Sequence, residues 1–283
     1  MRADELIREG RRILVDHRDR YGHAGDESDQ ARELLEHVVG YEFDDDDDVS
    51  AAERRRFLRL IDRRTTGEPI ALIVGWVEYA DLKLRVGPGA FLPRATSEFL
   101  AVQASRRLRG RRRPIAVDMA TGIGPVALAV AKKMPRAEVH GADINPVAIR
   151  WARQNARELK LRNASFHTGD LFGPLPKRLH GQVDVVTMHP PYVPNGEVGD
   201  LPEEIKRFEP RTSLTDRSDD GLGLVRRVVD QSWDWLCDGG WLMFEVAPSS
   251  SNPIRTLLRD SGYRDVRSTT GELRHTRVVL GRA

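Results

Sequence analysis

Residues 117–131, VDMATGIGPVALAVA, decide the fold class. An apolar run reaches a carboxylate at Asp118, turns through Gly122 and Gly124, and resumes with the spacing of a helix. At such a step the glycines let backbone come close to a ligand, and the first helical turn leaves amide donors free. The same rhythm continues outward. AEVHGAD (137–143) reads as a strand and NPVAIRWARQNARELK (145–160) as a helix; ASFHTGD (164–170) and VDVVTMH (183–189) read as further strands. GLGLVRRVVDQSWDWL (221–236) is a helix pattern, GGWLMFEVA (239–247) a strand and SNPIRTLLRDSGY (251–263) a helix, with DVRSTT (265–270) and HTRVVLGR (275–282) as closing strands. Repeated βα units predict an α/β fold with a doubly wound, mostly parallel sheet. Ligands of such sheets bind outside the carboxyl ends of the strands, where the strand order reverses.

The strand ends carry the chemistry. Asp118 stands before the glycine turn, where a carboxylate suits a cationic group better than a pyrophosphate. The dinucleotide fingerprint G-x-G-x-x-G is absent, with alanine at position 127. Asp143 ends the next strand, where an acidic side chain binds the two hydroxyls of a ribose. A ligand with a ribose and an ammonium group but no phosphate is S-adenosylmethionine. Asp170, in GDLF (169–172), is placed to hold the adenine amino group, with Leu171 and Phe172 walling the ring. The expected cofactor wall is therefore Asp118, Ala120, Thr121, Gly122, Gly124, Asp143, Ile144, Asp170 and Leu171, closed by His189.

Upstream, the chain reads as helices. ADELIREGRRILVDHR (3–18) and DESDQARELLEHVVG (26–40) carry apolar residues at helical spacing, and Gly40 is a C-terminal stop. Ser50 and Glu53 form a capping box before Phe57, Leu58, Leu60 and Ile61. The run Asp44 to Asp48 reads as a solvated loop complementing the dipole of that next helix rather than as a metal site. GWVEYADLKLRVGPGAFLPR (75–94) predicts a β-hairpin around the Gly-Pro-Gly turn. The expected organisation is a helical domain over 1–75, a hairpin linker over 76–98 and a catalytic domain over 99–283. The basic run RRLRGRRRP (106–114) reads as a solvated helix end and linker.

Bulk composition excludes other classes. Lys plus Arg (45) nearly balance Asp plus Glu (43), which argues against a surface that coats nucleic acid. Cys237 is the only cysteine, so neither a disulfide framework nor a cysteine-based zinc site is expected; a reducing, cytoplasmic setting fits. The first residues carry charges of both signs and do not read as a secretory signal, and no segment is apolar for long enough to cross a bilayer.

GEPIALIVGWVEYADLKLRV, FLPRATSE, the glycine-turn segment, GADINPVAIRWARQNA, GDLF, VDVVTMHPPYVP, FEPRTSL, DGLGLVRRVV and GGWLMFEV follow one another in that order. Together they resemble the HemK/PrmC family, the methyltransferases that modify the glutamine amide of peptide chain release factors. The resemblance spans nearly the whole chain. It implies a class I S-adenosylmethionine-dependent methyltransferase core, with a small helical N-terminal domain that helps hold the protein substrate.

In that family the fourth strand ends Asn-Pro-Pro-Tyr. An amide nitrogen is a poor nucleophile because its lone pair is delocalised, so its N–H groups must be held while one face is aimed at the methyl. By resemblance, Pro190 supplies a carbonyl acceptor and Tyr192 a ring packed on the amide, the two prolines stiffening the step. Pro191, Arg94 and Glu204 are expected on the substrate side. His189 replaces the asparagine here, Ala120 stands at the first glycine of the turn, and LPRATSE lacks the family's second proline while keeping Arg94 and Glu98. A neutral imidazole accepts one hydrogen bond and a protonated one none.

These residues imply an N-methyltransferase acting on a planar side-chain nitrogen, in the first reading a release-factor glutamine. A second reading is transfer to a small amide or guanidine, for which Glu203 and Glu204 supply carboxylates. DNA adenine methylation shares the Pro-Pro-Tyr chemistry, but no DNA-reading domain or basic cleft is evident. No membrane partner and no metal are expected. Trp233, Trp235 and Trp241 read as helix–sheet packing.

Overall fold

A computed structural model of the chain describes residues 1–20, 25–272 and 275–283. They form two compact units, Met1–Trp76 with Gly199–Glu209, and Val77–Val198 with Pro210–Ala283. Residues 199–209 thus fall in the first unit, although the sequence placed them in the catalytic domain.

The first unit holds α1 (Ala3–Val15), α2 (Glu27–Val39), α3 (Ala51–Thr65) and α4 (Ile70–Val74). Leu6, Leu14, Leu34, Leu35 and Phe57 meet in a core closed to solvent. Gly40 ends α2 in the left-handed conformation, and the Ser50–Glu53 capping box opens α3. The aspartate run is exposed, as a solvated loop should be, and it also serves an earlier helix. Its carbonyls cap α1: Ala3 N–H donates to Asp47 O at 2.9 Å and Asp4 N–H to Asp45 O at 3.0 Å. Free amides at a helix start need acceptors, and here backbone oxygens of the loop serve before any charge does. Buried Arg64 donates to Gln30 Oε1 (2.8 Å), to the Glu68 carbonyl (3.0 Å) and to Glu204 Oε1 (3.2 Å), which ties the returning segment to α2 and α3.

The second unit starts at Val77, within the hairpin of β1 (Trp76–Tyr79) and β2 (Leu82–Arg85). Its turn is Ala80–Asp81, with φ of 46° and 62°, rather than Gly-Pro-Gly. Two left-handed residues make the turn that matches strand twist, and Ala80 N–H donates to Glu98 Oε1 at 3.1 Å. Gly87 instead makes room for Trp151, whose ring lies 2.3 Å from where a Cβ would stand.

There follow α5 (Glu98–Leu108), β3 (Ile115–Met119), α6 (Pro125–Lys133), β4 (Glu138–Asp143), α7 (Pro146–Glu158), β5 (Ala164–Thr168) and β6 (Val183–Met188). After α8 (Glu203–Phe208) of the first unit come α9 (Gly223–Gln231), β7 (Leu236–Val246), α10 (Ser251–Asp260), β8 (Arg264–Thr269) and β9 (Arg277–Arg282). Among the described residues the sheet has seven strands in the order β5-β4-β3-β6-β7-β9-β8. The first five in that row are parallel, and β9 runs antiparallel between β7 and β8. The α9 segment is shorter than expected: β7 begins at Leu236, where the β6–β7 register shifts.

Every residue of β6 is buried, as a central parallel strand covered on both faces requires. The chain builds outward from β3 through β4 to β5, then returns to the other side of β3 with β6. A crevice therefore opens above the carboxyl ends of β3 and β6. The basic run is partly built into the opposite end: Arg111 pairs with Asp184 of β6, and Arg107 lies 5.1 Å over the Trp241 ring.

Candidate active site

A cavity of about 390 Å³ occupies that crevice, within the size range of small-molecule sites. Its floor is the glycine turn. Asp118 is buried and accepts from Thr121 Oγ1 at 2.6 Å and from Thr187 Oγ1 at 2.7 Å. Burial pushes its carboxyl up to about 6, although both hydroxyls favour the charged form. Thr121 N–H donates to the Ala142 carbonyl at 3.1 Å, which stitches the turn to β4. Asp143 accepts from Gly122 N–H and Asn145 N–H, each at 2.8 Å, and its carboxyl is raised by burial.

Gly122 has a φ of +56°, and no atom lies within 4 Å of where its Cβ would stand. That open face belongs to the cavity, a cradle a side chain would fill. Gly124 serves packing instead: with φ +88°, a Cβ there would meet the Phe166 ring at 2.9 Å. Ala120 holds a left-handed φ of 50° without being glycine. Two carboxylates, a bare glycine backbone and the apolar Ile144 and Leu171 line one end of the cavity, a donor set that fits a ribose and an ammonium group.

The other end is built on the β6 terminus. Met119 pairs with Met188 and Met188 with Phe244, so Ala120, His189 and Glu245 leave three neighbouring strands at one level. His189 lines the cavity, with its Nδ1 3.2 Å from Ser97 Oγ and 3.8 Å from Glu245 Oε2. The Tyr192 ring stacks on the imidazole (5.6 Å, 25°), and Phe91 meets it edge-on at 5.8 Å. Burial holds the His189 pKa below the usual histidine value; Glu245 opposes that and Arg94 adds to it. Burial, with Glu245 second, raises the Tyr192 hydroxyl.

Of the residues expected from sequence, Asp118, Ala120, Thr121, Gly122, Asp143, Ile144, Asp170, Leu171, His189, Pro191 and Arg94 line this one cavity. Gly124, Pro190, Tyr192 and Glu204 do not. Pro190 is buried, Tyr192 presents its ring to His189, and Glu204 is engaged by Arg64 in the first unit. Asp170 sits exposed at the rim, with Arg227 Nη2 2.5 Å from its carboxylate. Phe172 is turned into the core and stacks on Trp235 at 5.4 Å, so Leu171 walls the cavity without it. Trp233 is partly exposed against Tyr263. Sequence reasoning missed Ser97, Phe91 and Glu245, along with the loop bearing Thr212, Thr215 and Asp216. Asp216 accepts from Leu224 N–H at 2.6 Å as α9 begins, across eight residues, a distance at which no local sequence signal shows the pairing.

Residues 115–209 match the model of a methyltransferase domain, and residues 5–75 match the PrmC N-terminal domain. A release factor glutamine methyltransferase from Vibrio cholerae is 35% identical over 229 residues, covering 78% of this chain and 76% of that protein. The chain belongs to the HemK/PrmC family. Another member, the release factor glutamine methyltransferase of Bordetella pertussis, is 34% identical over 244 residues, covering 84% of this chain and 88% of its own length. Fold likeness reaches beyond the family. A methyltransferase from Pyrococcus furiosus aligns with TM-score 0.50 at 15% identity, over 71% of this chain and 88% of that one. The 16S rRNA N2 G1207 methyltransferase of T. thermophilus, solved with AdoMet and guanosine, aligns with TM-score 0.53 at 16% identity, over 73% of this chain and 49% of that one. The second unit thus has the class I methyltransferase fold. Among the described residues no helix is long and apolar enough to cross a membrane.

Proposed function

We propose that this protein transfers a methyl group from S-adenosylmethionine to the side-chain amide nitrogen of a glutamine in a peptide chain release factor, in the cytoplasm. The observation that carries the reading is one cavity in which the Asp118–Gly122–Asp143 wall adjoins the His-Pro-Pro-Tyr strand end. When bound, the cofactor supplies an electrophilic methyl on a sulfonium sulfur. Asp118 meets its ammonium group, Asp143 its ribose hydroxyls, and Ile144 and Leu171 its adenine.

On the acceptor side His189, neutral near pH 7 because burial lowers its pKa, takes a hydrogen bond from the amide. The Pro190 carbonyl accepts no hydrogen bond among the described residues and is available as the second acceptor. Tyr192 backs the imidazole, fixing the plane in which it receives the amide. Pro191 and Arg94 border the acceptor, and residues 1–75 hold the protein substrate. The carboxylates that favoured a guanidine-bearing metabolite do not line the cavity; Glu204 accepts from Arg64, and exposed Glu203 pairs with Lys206 at 2.6 Å.

Incubation with methyl-labelled S-adenosylmethionine and either a release factor or a panel of free amino acids and metabolites tests the reading. Label on a glutamine of the factor, located by mass spectrometry, is the expected outcome. Transfer to small molecules alone overturns it.

A further inference from the structure

His189 departs from the family's asparagine, and its ring faces groups that bear on which nitrogen carries the proton. Glu245, at the carboxyl end of β7, is fully buried, and neither of its side-chain oxygens has a hydrogen-bond partner among the described residues. A carboxyl group buried without a hydrogen-bond partner is a costly arrangement that a fold seldom keeps without use. His189 Nδ1 lies 3.8 Å from Glu245 Oε2, with Ser97 Oγ at 3.2 Å from the same nitrogen. His189 Nε2 has no hydrogen-bond partner among the described residues, and the side chain borders the cavity.

The two neutral tautomers differ sharply in such surroundings. With the proton on Nδ1, an N–H dipole faces the carboxylate and Ser97 Oγ accepts. With the proton on Nε2, a lone pair faces a buried negative charge, and low dielectric magnifies the repulsion. We propose that Glu245 is a positioning residue that keeps the His189 proton on Nδ1, so that Nε2 is the base receiving the proton that the acceptor nitrogen loses on methylation. The inference rests on the methyltransferase reading above.

The step balances. The nitrogen's electron pair forms the N–CH3 bond, the pair of the broken S–CH3 bond stays on the sulfur of the sulfonium donor, and the N–H proton moves to Nε2. The imidazolium keeps its other proton on Nδ1, beside Glu245, and returns the Nε2 proton to water after release. An asparagine oxygen in this place holds an N–H but does not take the proton. Two charged groups face the ring: Glu245 from β7 favours the imidazolium, and Arg94 from the segment before α5 opposes it. Ser97, Tyr192 and Phe91 meet it uncharged.

Nitrogen-15 NMR of histidine-labelled protein, with His189 assigned through His189→Asn, reads the tautomer without acceptor or cofactor. Nε2 is expected to be the unprotonated nitrogen of the neutral ring. In Glu245→Gln the His189 pKa is expected to fall, and the acid limb of kcat to move down with it. Above that limb kcat is expected to drop about tenfold or more, part of the roughly 100- to 10,000-fold that proton-transfer catalysis supplies. Cofactor affinity by calorimetry and the acceptor KM should hardly move. In the His189→Asn background, Glu245→Gln should change kcat no further. A proton on Nε2 in the wild type, an unchanged His189 pKa in Glu245→Gln, or the same kcat loss in both backgrounds overturns the proposal. Failure to label a release factor strikes the functional reading instead, and the tautomer measurement stands apart from it.

Discussion

The two ends of the cavity treat their buried acids in opposite ways. At the cofactor end, both carboxylates are held: Asp118 by two hydroxyls, Asp143 by two backbone amides. At the acceptor end, Glu245 has no hydrogen-bond partner among the described residues, and His189 keeps one ring nitrogen open. Satisfied groups fix a shape in advance of binding, which is what a diffusing cofactor needs. Unsatisfied groups store electrostatic free energy that is released when a proton arrives, which suits the end where the proton is handled. On the proposed function, one end is built to bind and the other to react.

The largest expected effect tests the binding end. Asp143→Ala removes the ribose acceptor and leaves the amides of Gly122 and Asn145 unmatched. Losing a hydrogen bond to a charged group costs about 1.5–3 kcal/mol, so cofactor affinity is expected to weaken about 10- to 150-fold. Isothermal titration calorimetry measures it, and unchanged affinity removes Asp143 from the site.

Asp118 offers a second test, because its carboxyl is raised to about 6 from 3.8. A group whose folded pKa is raised contributes stability below its unfolded pKa and loses it as pH rises through about 6. The free protein therefore carries a penalty at neutral pH, of order 1–3 kcal/mol. Asp118→Asn is expected to melt at a higher temperature than wild type at pH 7.5, to lose that advantage near pH 4, and to bind cofactor more weakly throughout. Scanning calorimetry at the two pH values checks the trade between stability and binding. Equal gains at both would mean that the acid is not ionised at neutral pH.

A third effect separates the two ends in one titration. Cofactor affinity is expected to fall as pH drops through about 6, where Asp118 takes a proton. Turnover at saturating cofactor should fall in a step of its own, below the ordinary histidine range, as His189, whose pKa burial lowers, becomes unable to accept. Binding isotherms and kcat profiles measured over the same range decide it; a common midpoint would show the two ends titrating as a unit.

Much of the binding end was legible in the sequence, because a parallel sheet puts ligand contacts at strand ends and strand ends are visible as breaks in apolar runs. Asp118, Asp143 and His189 stand at such breaks, and the structure places all three on the wall of one cavity. Glu245 was not legible, since it lies inside the apolar segment WLMFEV, where a single acid reads as the end of a strand and nothing local shows what it faces. Its partner follows only from β6–β7 adjacency, a property of topology. Ser97 likewise comes from a segment far from His189 in sequence. Phe172 failed for a related reason: it neighbours Leu171, but the left-handed backbone at Leu171 (φ 46°) sends the two side chains to different places. The Ala80–Asp81 turn is hidden because alanine gives no sign of a positive φ, although aspartate tolerates one. Glu204 looked like an acceptor ligand until the fold gave it Arg64.

The smallest effect concerns Ala120, which links the two ends. It follows β3, sits level with His189, and holds a φ of 50°. A non-glycine residue in that conformation costs about 1–2 kcal/mol, whereas glycine adopts it freely but loses roughly 0.5–1 kcal/mol more chain entropy on folding. The two terms nearly cancel, so Ala120→Gly is expected to change stability by no more than about 1 kcal/mol. Relative to glycine, the methyl group narrows the backbone freedom of the point where the turn after β3 comes level with His189. Loosening that point should leave cofactor affinity within about threefold, a difference under 1 kcal/mol. It should lower kcat by a larger factor, since small misplacements of reacting groups are costly. Calorimetry beside single-turnover rates separates the two effects. If affinity falls and the rate does not, Ala120 belongs to the binding end alone, and the boundary between the two ends lies at His189.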